Sequence, residues 1–220
     1  MDFSSGLFGR LFKRRRLFAV WQTMSHMTGN LTKLGLALSE QDAGLIALFV
    51  VCVLSFLLGA AASSIHFPVD RPGVWQRCGQ VFLPGGFLLA LSQMLSASAF
   101  VSLAVLALAL GAQNGLILRF RGVLARTTHI TGHLTDCGAA LGRMVAKKRF
   151  QGEDLRFFLF HLSCLIFFTL GVLVCALLSG ALKINLLLLG GVFYLILGAT
   201  ALARAKMTRK KRRTILIRHP

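Results

Sequence analysis

Five stretches of this chain are apolar for about the length that carries an α-helix across a bilayer, and nothing else in the sequence restricts the fold so strongly. They are Leu45 to Ala62, Val81 to Ala99, Phe100 to Leu118, Phe157 to Leu178 and Ile184 to Ala203. A crossing helix needs roughly 20 mainly apolar residues. Gly59, Pro84, Gly85, Gly171, Gly190 and Gly191 fall inside these stretches, as suits membrane helices whose small residues let backbones approach. With 55% hydrophobic and 15% charged residues, against roughly 25% charged in soluble domains, the predicted class is an all-α polytopic integral membrane protein. Five to seven transmembrane or re-entrant helices are expected.

The net charge of +18 invites comparison with nucleic-acid binders, since clustered Lys and Arg attract phosphate. Its distribution points to membrane topology instead. The basic clusters Arg10 to Arg16, Arg119 to Arg126, Lys147 to Arg149 and Arg204 to Arg213 all flank apolar stretches, as the positive-inside rule expects. The expected partners are the bilayer, its anionic headgroups and a small solute, with no nucleic acid; a homo-oligomer stays open. Cys52, Cys78, Cys137, Cys164 and Cys175 include no Cys-x-x-Cys pair, so neither a disulfide framework nor a zinc site is indicated. Arg10 to Arg16 leads into Trp21, Gln22 and His26 without a clean cleavage site, which does not resemble a secretory signal. The chain also lacks a Gly-x-Ser-x-Gly elbow, a phosphate-binding loop and a dinucleotide fingerprint, so no enzymatic activity and no cofactor are expected.

An internal repeat organises the rest. His26-Met-Thr-Gly-Asn-Leu-Thr-Lys-Leu-Gly-Leu-Ala-Leu38 returns as His129-Ile-Thr-Gly-His-Leu-Thr-Asp-Cys-Gly-Ala-Ala-Leu141, with eight of thirteen positions identical. Apolar composition alone would not repeat a His, two Thr and two Gly in register. More weakly, Cys52, Phe56 and Gly59 align with Cys164, Phe168 and Gly171, and Gly85-Gly86 with Gly190-Gly191. The unit is a polar signature followed by two spans, at about residues 22–99 and 125–203 of a single transmembrane domain covering 17–203. A basic segment, 1–16, precedes it and a basic tail, 204–220, follows.

Seven crossings would put one basic terminus outside, against the positive-inside rule. The sequence therefore predicts a re-entrant segment at 127–146 and a sixth span or re-entrant segment at 17–38. The clusters at 119–126 and 147–149, the tail and the Arg71/Arg77 loop then share the cytoplasmic side. Polar re-entrant segments are tolerated where protein or a water-filled cavity surrounds them.

The paired signatures, Gly111-Ala-Gln-Asn114 and Arg126-Thr-Thr-His-Ile-Thr-Gly-His-Leu-Thr-Asp136 resemble the YoaK family of bacterial transmembrane proteins over roughly residues 22–203. The resemblance implies location and architecture: a multi-pass protein of the bacterial inner membrane with no settled activity. Positions matching its motifs are Thr28, Gly29 and Asn30, then Gly111, Gln113 and Asn114, then Thr128, Thr131, Gly132, Thr135 and Asp136. Relatives begin with a full apolar span ahead of the first signature, where this chain has Phe8 to Arg16. In a complete relative, an odd number of spans per unit makes the repeats inverted, so that the signatures meet near the midplane.

Inverted repeats with interrupted helices recur in secondary transporters. The expected function is a permease or channel for a small polar or ionic solute. Its candidate pathway comprises His26, Thr28, Gly29, Asn30, Gln113, Asn114, His129, Thr131, Gly132, Thr135 and Asp136. Thr-Gly suits a helix break, because Gly permits open backbone geometry and Thr hydroxyls satisfy freed backbone groups. The plain alternative is that these glycines are packing contacts. Asp136 at membrane depth suggests a cation or proton site, or a structural ion pair with Lys33 or Arg143. His26 and His129 are either facing imidazoles or helix caps. From a different class, His129, His133 and Asp136 share one helical face at i, i+4, i+7, a pattern compatible with a metal-binding protein or hydrolase. A non-transporting scaffold or degenerate copy is a third reading.

Overall fold

The computed structural model describes residues 26–67, 73–116, 118–120, 123–125, 129–182 and 185–218, with side chains at 26–67, 73–116, 129–178 and 185–209. The basic segment 1–16, the start of the first signature segment and Thr128 lie outside them. The described elements are α1 (Met27–Ser39), α2 (Ala43–His66), α3 (Val74–Met94), α4 (Ala99–Gly115), a two-stranded ribbon of β1 (Leu118–Phe120) and β2 (Val123–Ala125), α5 (Ile130–Ala146), α6 (Glu153–Leu182) and α7 (Leu186–Arg218). Three helices contain stretches long and apolar enough to cross a membrane: Ala43–His66, Glu153–Leu178 and Leu186–Arg209. α4 is a shorter apolar helix. The chain is an all-α membrane protein.

The spans expected at Val81 to Ala99 and Phe100 to Leu118 are helices, α3 and α4, with other bounds, and neither is among the three that are long and apolar enough to cross a membrane. Gly73, at φ 112°, lets α3 start at Val74, so Arg77 and Cys78, expected outside the apolar span, are buried within a helix. At the other end, Ser96 adopts φ 48° and the Ser98 side chain accepts from the Val101 amide. Helix α4 begins there, because a serine acceptor satisfies an amide that a helix start leaves unbonded. The expected span at Ile184 to Ala203 likewise grows into a helix that runs through the basic tail to Arg218. Ala, Arg, Lys and Met are strong helix formers, and cations are favoured toward a helix C-terminus.

The chain forms two compact units. The larger holds Met1–Leu118 together with Leu187–Pro220, the smaller Arg119–Leu186. In the larger unit, α1 turns back onto α2 through Glu40 and Gln41, and Asp42 caps α2 by accepting from the Leu45 amide at 3.1 Å. Its core gathers Ala37, Leu48, Phe49, Cys52, Leu103 and Ala107 from α1, α2 and α4. Helices α2 and α4 run parallel and touch backbone to backbone: a side chain on Gly111 would strike the Phe56 carbonyl, and one on Gly115 that of Ala60, at 2.5 Å. Gly59 meets the Ala112 amide in the same way, at 2.9 Å.

Helix α7 packs on α3 by the same device. A Cβ on Gly86 would lie 2.7 Å from the Gly191 carbonyl, and one on Gly191 would lie 3.1 Å from that of Gly86. Gly79 meets the Gly198 carbonyl at 3.0 Å, so residue numbers fall along α7 as they rise along α3. The two helices are antiparallel. Gly86 and Gly191 are also the positions that the weaker part of the repeat aligns, so the two helices meet at matching glycines. In the smaller unit α5 packs on α6, and the exposed Ile166, Phe167, Leu170, Val172, Leu173, Val174 and Leu177 give α6 an apolar exterior. Such a surface requires lipid or protein, since a helix apolar all round is not a water-facing element.

Candidate functional site

The two signatures fold alike. In each, the histidine precedes the first helical residue and its carbonyl accepts the first helical bond, Asn30 N–H at 3.1 Å and His133 N–H at 3.0 Å. One turn on, Thr32 and Thr135 donate their hydroxyls to the carbonyls of Thr28 and Thr131, each at 3.0 Å. Both helices end on a residue of positive φ, Gln41 at 54° and Lys148 at 48°. The amide after it reaches back five residues, Asp42 to Ala37 and Arg149 to Met144, each at 3.0 Å. This is the left-handed C-terminal motif that uses otherwise unbonded carbonyls. Helix α5 is longer, with 17 residues against 13.

Thr-Gly does not interrupt either helix: both signature glycines are helical, and among the described residues the positive-φ glycines are Gly73 and Gly152. The glycines instead seat the histidine ring. A Cβ on Gly29 would come within 2.8 Å of His26 Cδ2, and one on Gly132 within 2.7 Å of His129 Cε1. A side chain at either glycine would have to displace the ring. Neither histidine donates or accepts a side-chain capping bond.

The fourth residue of each helix beyond the cap, Asn30 or His133, is buried at equivalent positions, 0% and 4% exposed. Asn30 Nδ2 lies 3.8 Å from the Met27 sulfur. His133 Nδ1 lies 2.8 Å from Nδ1 of His161, which is 1% exposed on α6. Asp136 Oδ2 lies 3.8 Å from the other nitrogen, Nε2, of His161. The Phe160 ring meets His161 at 5.2 Å between centroids and His133 at 6.3 Å.

Asp136 therefore faces His161. Arg143, one of the partners expected for it, instead binds Asp154 at 2.7 Å, and Lys147 binds the second oxygen of that carboxylate at 2.7 Å. The remaining pathway candidates are distributed. Thr28 and Thr131 are exposed, each with its carbonyl engaged by the threonine one turn on. Asn114 donates to the Leu110 carbonyl at 2.8 Å. Gln113 accepts from the Tyr194 hydroxyl, joining α4 to α7 in the larger unit, and Tyr194 also packs edge-on against Phe82 at 5.2 Å. His26 to Asn30 belong to the larger unit and His129 to Asp136 to the smaller.

His129, His133 and Asp136 share α5 and its cap but do not converge. Among the described residues no group of three His, Cys, Asp or Glu side chains is arranged to hold a metal ion. Sequence reasoning passed over His161. The signal was present: it is the one ionisable side chain between Phe157 and Leu178 apart from two cysteines, and ionisable residues within spans mark functional positions.

No curated protein and no solved structure matches the chain. Residues 17–200, the greater part of the chain and including both signatures, match the family described as "Protein of unknown function (DUF1275)", and the chain belongs to that family.

Proposed function

We propose that this membrane protein is a permease or channel for a small polar or ionic solute in the bacterial inner membrane, and that it is not an enzyme. One observation carries the proposal: equivalent helices of the repeat, α3 and α7, pack antiparallel through the reciprocal Gly86–Gly191 contact. Repeats related by an axis lying across the helices are the inverted arrangement from which many secondary transporters are built, with their sites where the repeats meet.

The helix directions support it. With the clusters at 119–126 and 147–149 and the tail on the cytoplasmic side, as the positive-inside rule favours, α3 runs outward and α7 inward, and α2 and α4 both run inward. The α1–α2 turn at Glu40 then faces outside, while its repeat equivalent, the α5–α6 turn at Gln151, faces the cytoplasm. Single cysteines at Glu40 and Gln151 on a Cys-free background test this in intact cells with an impermeant thiol reagent. Labelling at position 40, and at position 151 only after the cells are opened, is the expected result; labelling of both from one side overturns the inverted arrangement. Solute-dependent thermal stabilisation then identifies the class of solute, since ligand binding stabilises with the logarithm of occupancy.

A further inference from the structure

Asp136, His161 and His133 stand in a row across the α5–α6 contact. The carboxylate is 60% exposed at one end and the two imidazoles are buried at the other. Two imidazole nitrogens 2.8 Å apart share one hydrogen, carried by one Nδ1 and accepted by the other. A second charge on the pair is strongly disfavoured by like-charge repulsion, so the pair takes up a single proton. Phe157 and Phe160 flank His161, with centroids at 6.1 and 5.2 Å, and leave it little room for bulk water. His161 lies eight residues beyond Glu153, about 12 Å along α6, well inside the apolar stretch.

We propose that Asp136, His161 and His133 form a proton relay, with the exposed carboxylate as its port and the buried imidazole pair as its terminus. Chains of acidic and histidine side chains serve this purpose at membrane depth. As the coupling site of a transporter the relay rests on the permease proposal; as a proton site it does not.

The transfer balances without any further reactant. With Asp136 protonated and the His161 hydrogen on Nδ1, the carboxyl O–H bond breaks as an N–H bond forms at His161 Nε2. The Nδ1–H bond of His161 breaks as one forms at His133 Nδ1. Asp136 is left as a carboxylate and His133, still holding its Nε2 hydrogen, as an imidazolium. The 3.8 Å approach is longer than a hydrogen bond, so the transfer requires the exposed carboxylate to move closer to His161 Nε2. Among the described residues, the titratable and charged groups toward the row are His133, Asp136 and Cys137 from α5 and His161 from α6; Cys137 Sγ lies 4.0 Å from the Phe158 carbonyl. Arg143 and Lys147 from α5 and Asp154 from α6 are committed to one another.

The test needs no solute. The full chain, labelled with ¹⁵N-histidine and held in lipid nanodiscs, is titrated between about pH 8 and pH 5, the range in which histidine changes charge. The expected result is a single proton taken up jointly by His133 and His161, with their Nδ1 resonances moving in step. Asp136→Asn, a change at an exposed side chain, alters that joint uptake, because the row loses its carboxylate. In His161→Gln the joint behaviour disappears. Rings whose tautomers stay fixed throughout, or that titrate separately with no response to Asp136→Asn, would show a purely structural hydrogen bond and overturn the relay. That failure would leave the permease proposal standing, and an empty solute screen would leave the relay standing.

Discussion

Gly59 and Gly171 hold equivalent places in the repeat, yet a side chain on Gly59 would run into the backbone of α4, whereas one on Gly171 would meet nothing within 4 Å. The contrast extends to the units around them. In the larger unit the helices approach through glycine, at Gly59, Gly111 and Gly115 between α2 and α4 and at Gly79, Gly86, Gly191 and Gly198 between α3 and α7. In the smaller unit Gly138, Gly142 and Gly171 all look into open space. There α5 and α6 are joined by side chains instead: the His133–His161 bond and the Asp154 ion pairs. One repeated sequence thus supplies two kinds of contact, one dry and backbone-close, the other polar and titratable. Backbone contacts of the first kind change only by moving whole helices, while the second responds to a single proton.

Thermal unfolding in detergent gives the sharpest way to break the comparison. Gly59→Leu forces a branched side chain into the α4 backbone, and overpacking of this kind costs about 3 kcal/mol or more. Gly171→Leu should stay within about 0.5 kcal/mol of wild type. Equal losses at the two positions would show that the units are not built differently. A smaller effect is expected from His161→Ala, which removes the bond between His133 and α6 in the smaller unit, at about 1–3 kcal/mol; a melting curve superimposable on wild type would remove the polar contact from the comparison. Tyr194→Phe deletes the hydroxyl bonded to Gln113 in the larger unit, where interhelical hydrogen bonds in membranes average about 0.6 kcal/mol. Its shift should fall below that of His161→Ala, and the reverse order would make the larger unit the more polar-dependent one. The least effect belongs to Arg143→Ala, because that guanidinium is exposed and surface ion pairs contribute little. Its small shift should vanish at high salt, and a salt-insensitive loss would mean that the pair is sequestered.

Hydrophobic length made most of the helices legible, since runs of apolar residues in lipid have few alternatives to helix. The repeat was legible because polar residues recurred in register. Boundaries were not, where they depended on single backbone conformations: Gly73 and Ser96 divide Val74 to Gly115 at places that apolar composition does not mark. The Thr-Gly signature was read as a helix break because glycine has more than one use. Conformational freedom and the absence of a side chain look identical in sequence, and only the ring positions of His26 and His129 distinguish them. His161 was missed for a related reason: it lies 28 residues from His133, and spacing within one helix says nothing of what the next helix brings across. Asp136 was singled out as an ionisable residue at membrane depth, and its neighbour in the structure, His161, comes from α6.

The parallel contact of α2 with α4 carries a mechanical consequence. At Gly111 and Gly115 no flexible side chain separates the two backbones, so neither helix can roll about its own axis without driving peptide groups into its neighbour. The pair must travel as one stiff plank. Any cycle of opening and closing has to find its hinge elsewhere, and a strut joining Phe56 to Gly111 would restrain nothing that is free to move.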